Sequence, residues 1–143
     1  MAEVEQFIKD MDPKISNIIK KKRRLYFNID DKHLREVADY LFNKLGCRLS
    51  TATAMEMYHG LEILYHFSLD KAGQYFCPRV IITDKKHPKV DSITNIIEGA
   101  IWIEREMYDL WGIEFSGHPR MEELLTLHHP QGLKRPLRFK EGA

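Results

Sequence analysis

Between residues 34 and 83 the hydrophobic period changes from that of a helix to that of a strand, and few small folds accommodate both. Leu34, Val37, Ala38, Leu41, Phe42 and Leu45 fall at i, i+3, i+4, i+7, i+8 and i+11, one unbroken apolar stripe. Asp30 or Asp31 can cap the start of this helix, and Gly46 stands where a left-handed C-terminal cap is wanted. Cys47–Tyr58 then alternates every second residue. His59-Gly60 makes a turn, and Leu61, Ile63, Tyr65, Phe67 and Leu69 alternate back as a second strand. After the turn Asp70-Lys71-Ala72-Gly73, residues 75–83 supply a third strand. Upstream, Leu25, Phe27 and Ile29 alternate as a strand, and Val4, Phe7, Ile8 and Met11 have helical spacing. Asp12-Pro13 reads as the opening of a second short helix carrying Ile15, Ile18 and Ile19. The order predicts an α+β fold, a small and mostly antiparallel sheet covered on one face by helices. It divides the chain into an N-terminal helical segment (1–22), a core domain (23–117) and an extended tail (118–143).

Size and charge exclude several classes. At 143 residues the chain suits one domain with a core that needs no disulfide or metal staple. Lys and Arg number 22 against 21 Asp and Glu, a net charge of +1, which argues against a chain built mainly to bind nucleic acid. Cys47 and Cys77 match no disulfide, zinc, iron–sulfur or redox spacing. The longest stretch without Asp, Glu, Lys or Arg is the ten residues Leu124–Leu133, far short of the ~20 apolar residues a spanning helix needs. The opening residues carry Glu3 and Glu5 and no apolar h-region, so no secretory leader is expected.

The pattern predicts a further helix from Asp91 or Ser92 to about Trp111, with Gly112 just past its end. Plotted at ~100° per residue, Ile93, Ile96, Ile97, Ala100, Ile103 and Met107 share a wide apolar arc. Glu104 falls inside that arc. A carboxylate there must reach water at the edge of the stripe or find a cation or polar neighbour; both remain open. Arg105, Glu106 and Asp109 lie on the opposite, charged arc, where Arg105 and Asp109 can pair along the helix. Trp102 sits among them, as an isolated exposed aromatic or as an interface anchor. Beyond the helix, Ile113–Pro119 reads as a short extended piece ending in a turn. The closing Lys134-Arg135-Pro136-Leu137-Arg138-Phe139-Lys140 suits an extended basic strip more than a helix.

The stretch Glu104-Arg105-Glu106-Met107-Tyr108-Asp109-Leu110-Trp111-Gly112-Ile113-Glu114-Phe115-Ser116-Gly117-His118-Pro119 resembles the signature of the thirty-kilodalton subunit (C subunit) family of respiratory complex I and its relatives. That signature reads E-R-E, two residues, D, an apolar residue, an aromatic, G, an apolar–x–F step and H-P, and Trp111 stands where Phe or Tyr is usual. Arg135-Pro136-Leu137-Arg138 resembles the family's closing segment, and the likeness covers roughly 23–140. Glu122-Glu123 departs from the pattern, where the family often carries Arg, which implies a different partner surface there.

The resemblance implies a non-catalytic subunit of a membrane-anchored redox complex. It would carry no flavin, metal or iron–sulfur cluster and have no active site of its own. Its partners would be a hydrogenase-like large subunit of the complex I 49-kilodalton type and a small iron–sulfur subunit. Iron–sulfur clusters, and nickel–iron in the hydrogenase type, would then belong to those partners. The chain would sit peripherally on the cytoplasmic side of the cell membrane, held indirectly through the complex. It is short at both ends of the matching core, which leans towards an energy-converting nickel–iron hydrogenase over the C subunit of a respiratory NADH:quinone oxidoreductase. On this reading Trp102, Glu104, Arg105, Glu106, Asp109, Gly112, Phe115, Gly117, His118 and Pro119 form an assembly motif. Arg135, Pro136, Leu137 and Arg138 form a docking tail.

Two rival classes have less support. An independent enzyme lacks HExxH, a Cys/His cluster, a phosphate-binding glycine loop and a nucleophile elbow. The adjacent His128-His129 pair reads as a solvated loop rather than ligands, and His118 as a turn histidine. A small RNA-binding module could use Lys20-Lys21-Lys22-Arg23-Arg24 with Tyr26 and Phe27, but the near-neutral chain lacks the base-stacking RNP pattern.

Overall fold

The structure, a computed structural model, describes residues 2–121, 137 and 138. Helix α1 (Ala2–Met11) is followed by strands β1 (Ile15–Lys20) and β2 (Arg24–Ile29), then helix α2 (Leu34–Asp39). Strands β3 (Arg48–Met57), β4 (Gly60–Leu69) and β5 (Gln74–Ile82) form a meander. Strand β6 (Lys89–Asp91), helix α3 (Ala100–Trp111) and strand β7 (Glu114–Ser116) complete the described elements. The main sheet has the order β1-β2-β5-β4-β3, antiparallel except between β2 and β5, and β6 pairs with β7 in parallel. The α+β fold with a mainly antiparallel sheet is the one the periodicities indicate.

Alternation decides which face is covered. Leu25, Phe27 and Ile29 on β2, Leu61, Ile63, Tyr65 and Phe67 on β4, and Phe76 and Val80 on β5 all point to the helices and are buried. Phe7 of α1 is the hub, its ring 5.1 to 5.3 Å from those of Phe27, Tyr40 and Phe76 in tilted or edge-on geometry. Helix α2 lays Leu34, Val37, Ala38 and Leu41 on the same core. The stripe continues past Asp39 through one wider turn, Tyr40–Lys44, which Leu45 closes by donating its N–H to the Tyr40 carbonyl. Gly46 then adopts the left-handed conformation.

Two elements differ from the sequence reading. Segment 1–22 is a helix followed by a strand, not two helices: Ile15–Lys20 pairs antiparallel with β2. Ile15, Ile18 and Ile19 have helical spacing, yet with a register break between Ser16 and Ile19 the segment pairs as a strand. Their branched side chains favour the pleated surface, where β2 was available as a partner. Helix α3 begins at Ala100, about two turns later than expected. Residues 92–99 instead form successive turns, with Ile96 and Ile97 both donating to the Ile93 carbonyl. Ser92 and Ile93 give side-chain and backbone donors to Glu104, which diverts the chain from helix, and Gly99 weakens helix propensity at the junction. Ile93, Ile97 and Ala100 nevertheless stay in the core, so the helical spacing survived where the helix did not.

Candidate functional site

The motif residues Glu104–Pro119 fold into a corner where α3, its turn and β7 close over residues 92–99. Glu104 lies on the inner side of α3 and is completely buried. Its carboxylate accepts the Ser92 hydroxyl at 2.6 Å and the Ile93 N–H at 2.9 Å. The question left by the sequence is thereby answered: the polar neighbour is a serine and a backbone amide. Burial pushes the Glu104 carboxyl up to about 7, against the lowering pull of Ser92, Ile93 and the nearby charge of Arg35. The Tyr65 hydroxyl, also fully buried, has no hydrogen-bond partner among the described residues, and burial together with the Glu104 charge holds its proton on well above the usual phenol range.

Arg35 and Ser92 were not legible as site residues. From α2, Arg35 donates through Nε to the Ser92 carbonyl at 3.0 Å and through Nη2 to the Ser116 carbonyl at 3.1 Å. One guanidinium so holds both strands of the small parallel sheet at their ends. The same Nη2 lies 3.0 Å from where a Cβ on residue 117 would sit, and φ there is +89°, so glycine is required twice over. Gly112, at φ +75°, ends α3 as expected and donates its N–H to the Tyr108 carbonyl. Phe115 is buried from β7. His118 Nε2 lies 3.0 Å from the Ile101 carbonyl, while its Nδ1 accepts the Arg120 N–H at 2.9 Å, a pattern that fits a neutral ring with the proton on Nε2. His118 is the backbone-bonded turn residue expected, and Pro119 follows it at the surface.

The charged arc of α3 is only partly solvated. Arg105 and Asp109, read as an exposed pair, are instead 5% and 4% exposed. Glu106 stays exposed. Trp102 is 58% exposed, with the Arg105 guanidinium 5.1 Å from its ring centre. An indole held in place by a buried arginine but left in water is the most conspicuous apolar surface of this corner.

Of the tail, Arg135 and Pro136 lie outside the described residues, as do Glu122, Glu123, His128 and His129. Leu137 is half exposed and donates its N–H to the Leu110 carbonyl at 3.1 Å. Arg138 docks on this chain itself. Its Nε meets Glu56 at 2.9 Å, Nη1 the Trp111 carbonyl at 3.1 Å and Nη2 the Lys85 carbonyl at 2.8 Å. Glu56, on β3, also pairs with Lys85 at 3.4 Å and is almost fully buried. Nothing in the alternation of β3 singled out Glu56. Lys20–Arg24 forms the exposed β1–β2 turn. Among the described residues no three His, Cys, Asp or Glu side chains gather into a group that could hold a metal, and no helix is long and apolar enough to cross a membrane.

Residues 27–141 match the family described as the 30-kilodalton subunit of respiratory-chain NADH dehydrogenase, and the chain belongs to that family. It is 33% identical over 108 residues to the C subunit of the NADH-quinone oxidoreductase of Ruegeria pomeroyi, covering 71% of this chain and 53% of that protein. It is 32% identical over 120 residues to the corresponding C subunit of Mesorhizobium japonicum, covering 80% and 58%. The chain thus spans a little over half the length of these relatives. Among solved structures, a chain of the membrane-bound sulfane sulfur reductase, an archaeal respiratory membrane complex, superposes with a TM-score of 0.77 at 22% identity, covering 93% of this chain and 80% of that one. The trypsin-resistant fragment of Nqo5 gives 0.66 at 21%, covering 82% and 98%. At these identities the two structures speak for the fold.

Proposed function

We propose that the chain is a non-catalytic, cofactor-free subunit of a membrane-anchored, complex I-like redox assembly. It packs through the α3 corner on a hydrogenase-like large subunit next to a small iron–sulfur subunit, on the cytoplasmic side of the membrane. Both an energy-converting hydrogenase and an NADH:quinone oxidoreductase fit this role. The carrying observation is the division of labour within the motif. Glu104, Gly112, Phe115, Gly117 and His118 brace the corner internally. Trp102 and Glu106, four apart on one helix face, are left outward. An exposed indole on rigid backbone has the features of a buried interface anchor, and such residues are worth ~2 kcal/mol or more to binding.

Substitution separates assembly from folding. Trp102→Ala should leave the melting temperature of the free subunit nearly unchanged. It should lower the yield of intact complex and whole-complex turnover together. Unfolding of the free subunit, with normal turnover in whatever complex survives, would make the residue structural and end the assembly reading.

A further inference from the structure

The face of the main sheet turned away from the helices has no covering element among the described residues. Outward positions run across it in register. Arg24 lies opposite Tyr75 and Tyr26 opposite Cys77, while Asn28 and Leu64 flank Arg79 on either side. Together Ile18, Ile19, Tyr26, Leu64, Cys77 and Arg79 line a groove of about 390 Å³, within the ~300–1,000 Å³ of typical binding clefts. Ile18 and Ile19 are 39% and 51% exposed at its rim, so the groove opens along the edge strand.

Two guanidiniums stand on this face, Arg79 in the groove lining and Arg24 outside it. Arg24 is held over the Tyr75 ring at 4.7 Å. Arg79 lies four residues further along β5 than Tyr75, about 13 Å at ~3.3 Å per residue. The Arg79 Nε is buried and has no hydrogen-bond acceptor among the described residues; it forms only a long ion pair, 3.7 Å, with Glu62, which also pairs with His59. A buried donor without an acceptor is rare in a finished protein surface. The exposed run Lys20–Arg24 adds positive field at the Arg24 end. His66, whose Nδ1 lies 3.8 Å from the Cys77 Sγ, is held below its usual value by burial and the Arg24 charge.

We propose that this open face is a second docking surface, taking an extended protein segment with two carboxylates about four positions apart and apolar side chains between them. The carboxylates meet Arg24 and Arg79, and the apolar side chains cover Leu64, Tyr26 and the two isoleucines. The segment lies across the face rather than adding to the edge, because a register break between Ser16 and Ile19, with Asn17 at φ +49°, interrupts the β1 ladder. Acidic protein is favoured over lipid or nucleic acid because Arg79 lies in a largely apolar groove and is spaced from Arg24 for one strand-like ligand. The surface shares no residue with the α3 corner; it rests on the subunit reading only for the source of the segment.

The test uses the full chain, isotope-labelled, titrated with two synthetic five-residue peptides. One is Glu-Thr-Leu-Thr-Glu, whose glutamates and leucine share one face of an extended chain; the other has the same composition with its glutamates adjacent. The spaced peptide should shift the amide signals of Leu64, Cys77 and Arg79 and bind at least ten-fold more tightly than the control. Arg79→Gln should abolish that preference, with Arg24→Gln as the alternative should the first variant fold poorly. Equal binding of the two peptides, or shifts confined to another surface, would overturn the proposal. So would binding of phosphatidylglycerol vesicles or single-stranded RNA to this face with none by the peptide. In the intact complex, a photo-crosslinker replacing Ile19 should capture a segment of another subunit bearing the predicted acidic spacing. Capture of lipid alone, or of a segment without carboxylates, would count against it. Trp102 variants should leave peptide binding untouched, which keeps failure here distinct from failure at the corner.

Discussion

Glu104→Gln should change how stability depends on pH, with a sign set by the burial of the carboxyl. In the folded chain the Glu104 carboxyl is raised from 4.5 to about 7, chiefly by burial. Between those values the folded state holds a proton that the unfolded state has released, so stability falls as pH rises. The stabilisation is complete below pH 4.5 and is lost as pH passes through about 7. At 1.36 kcal/mol per unit, the loss is about 3 kcal/mol. The substituted amide keeps the shape and an oxygen for Ser92 or Ile93 but cannot ionise. His66, lowered by burial, works the other way, gaining stability as pH rises. The quantity to follow is therefore wild type minus variant, from urea unfolding in steps from pH 4.5 to pH 8. That difference should fall by about 3 kcal/mol and level off above neutrality. A difference that stays constant across the range would refute the reasoning, since Glu104 would then be as acidic in the folded chain as in the unfolded one.

Two further outcomes follow from the same geometry. Arg138→Ala should cost about 2 kcal/mol in urea unfolding, below the usual range for a broken buried pair because Lys85 still faces Glu56; Arg138→Lys should recover less than half, since one ammonium cannot satisfy three acceptors in three directions. The purified chain should be redox-silent, with no stoichiometric iron, nickel or flavin in metal analysis and visible absorption.

Much of the fold was legible because burial and period agree on one face. Leu34–Leu45 had a single periodic solution, and Leu61–Leu69 another, and both hold. Where local spacing pointed to helix, as at Ile15, Ile18 and Ile19, tertiary pairing with β2 decided otherwise, and pairing is invisible to a local window. The late start of α3 had a related origin. Ser92 and Ile93 send their donors to a side chain more than ten residues away, so helix spacing persisted in a segment built from turns. At the site, Glu104 and Trp102 announced themselves by standing on the wrong arcs, and both are structurally exceptional. Arg35, Glu56 and Arg79 gave no such sign. A polar residue flanked by apolar ones has the same local pattern whether its head is solvated or clamped on distant backbone, and only the folded arrangement distinguishes the two.

The central claim is that the α3 corner is where this subunit meets its large partner. A photoreactive phenylalanine analogue in place of Trp102, incorporated in cells and activated in the purified intact complex, tests it at the residue itself. The account predicts one dominant crosslink, to the hydrogenase-like large subunit. Crosslinks only within this chain, or none above background in an intact and active complex, would contradict it.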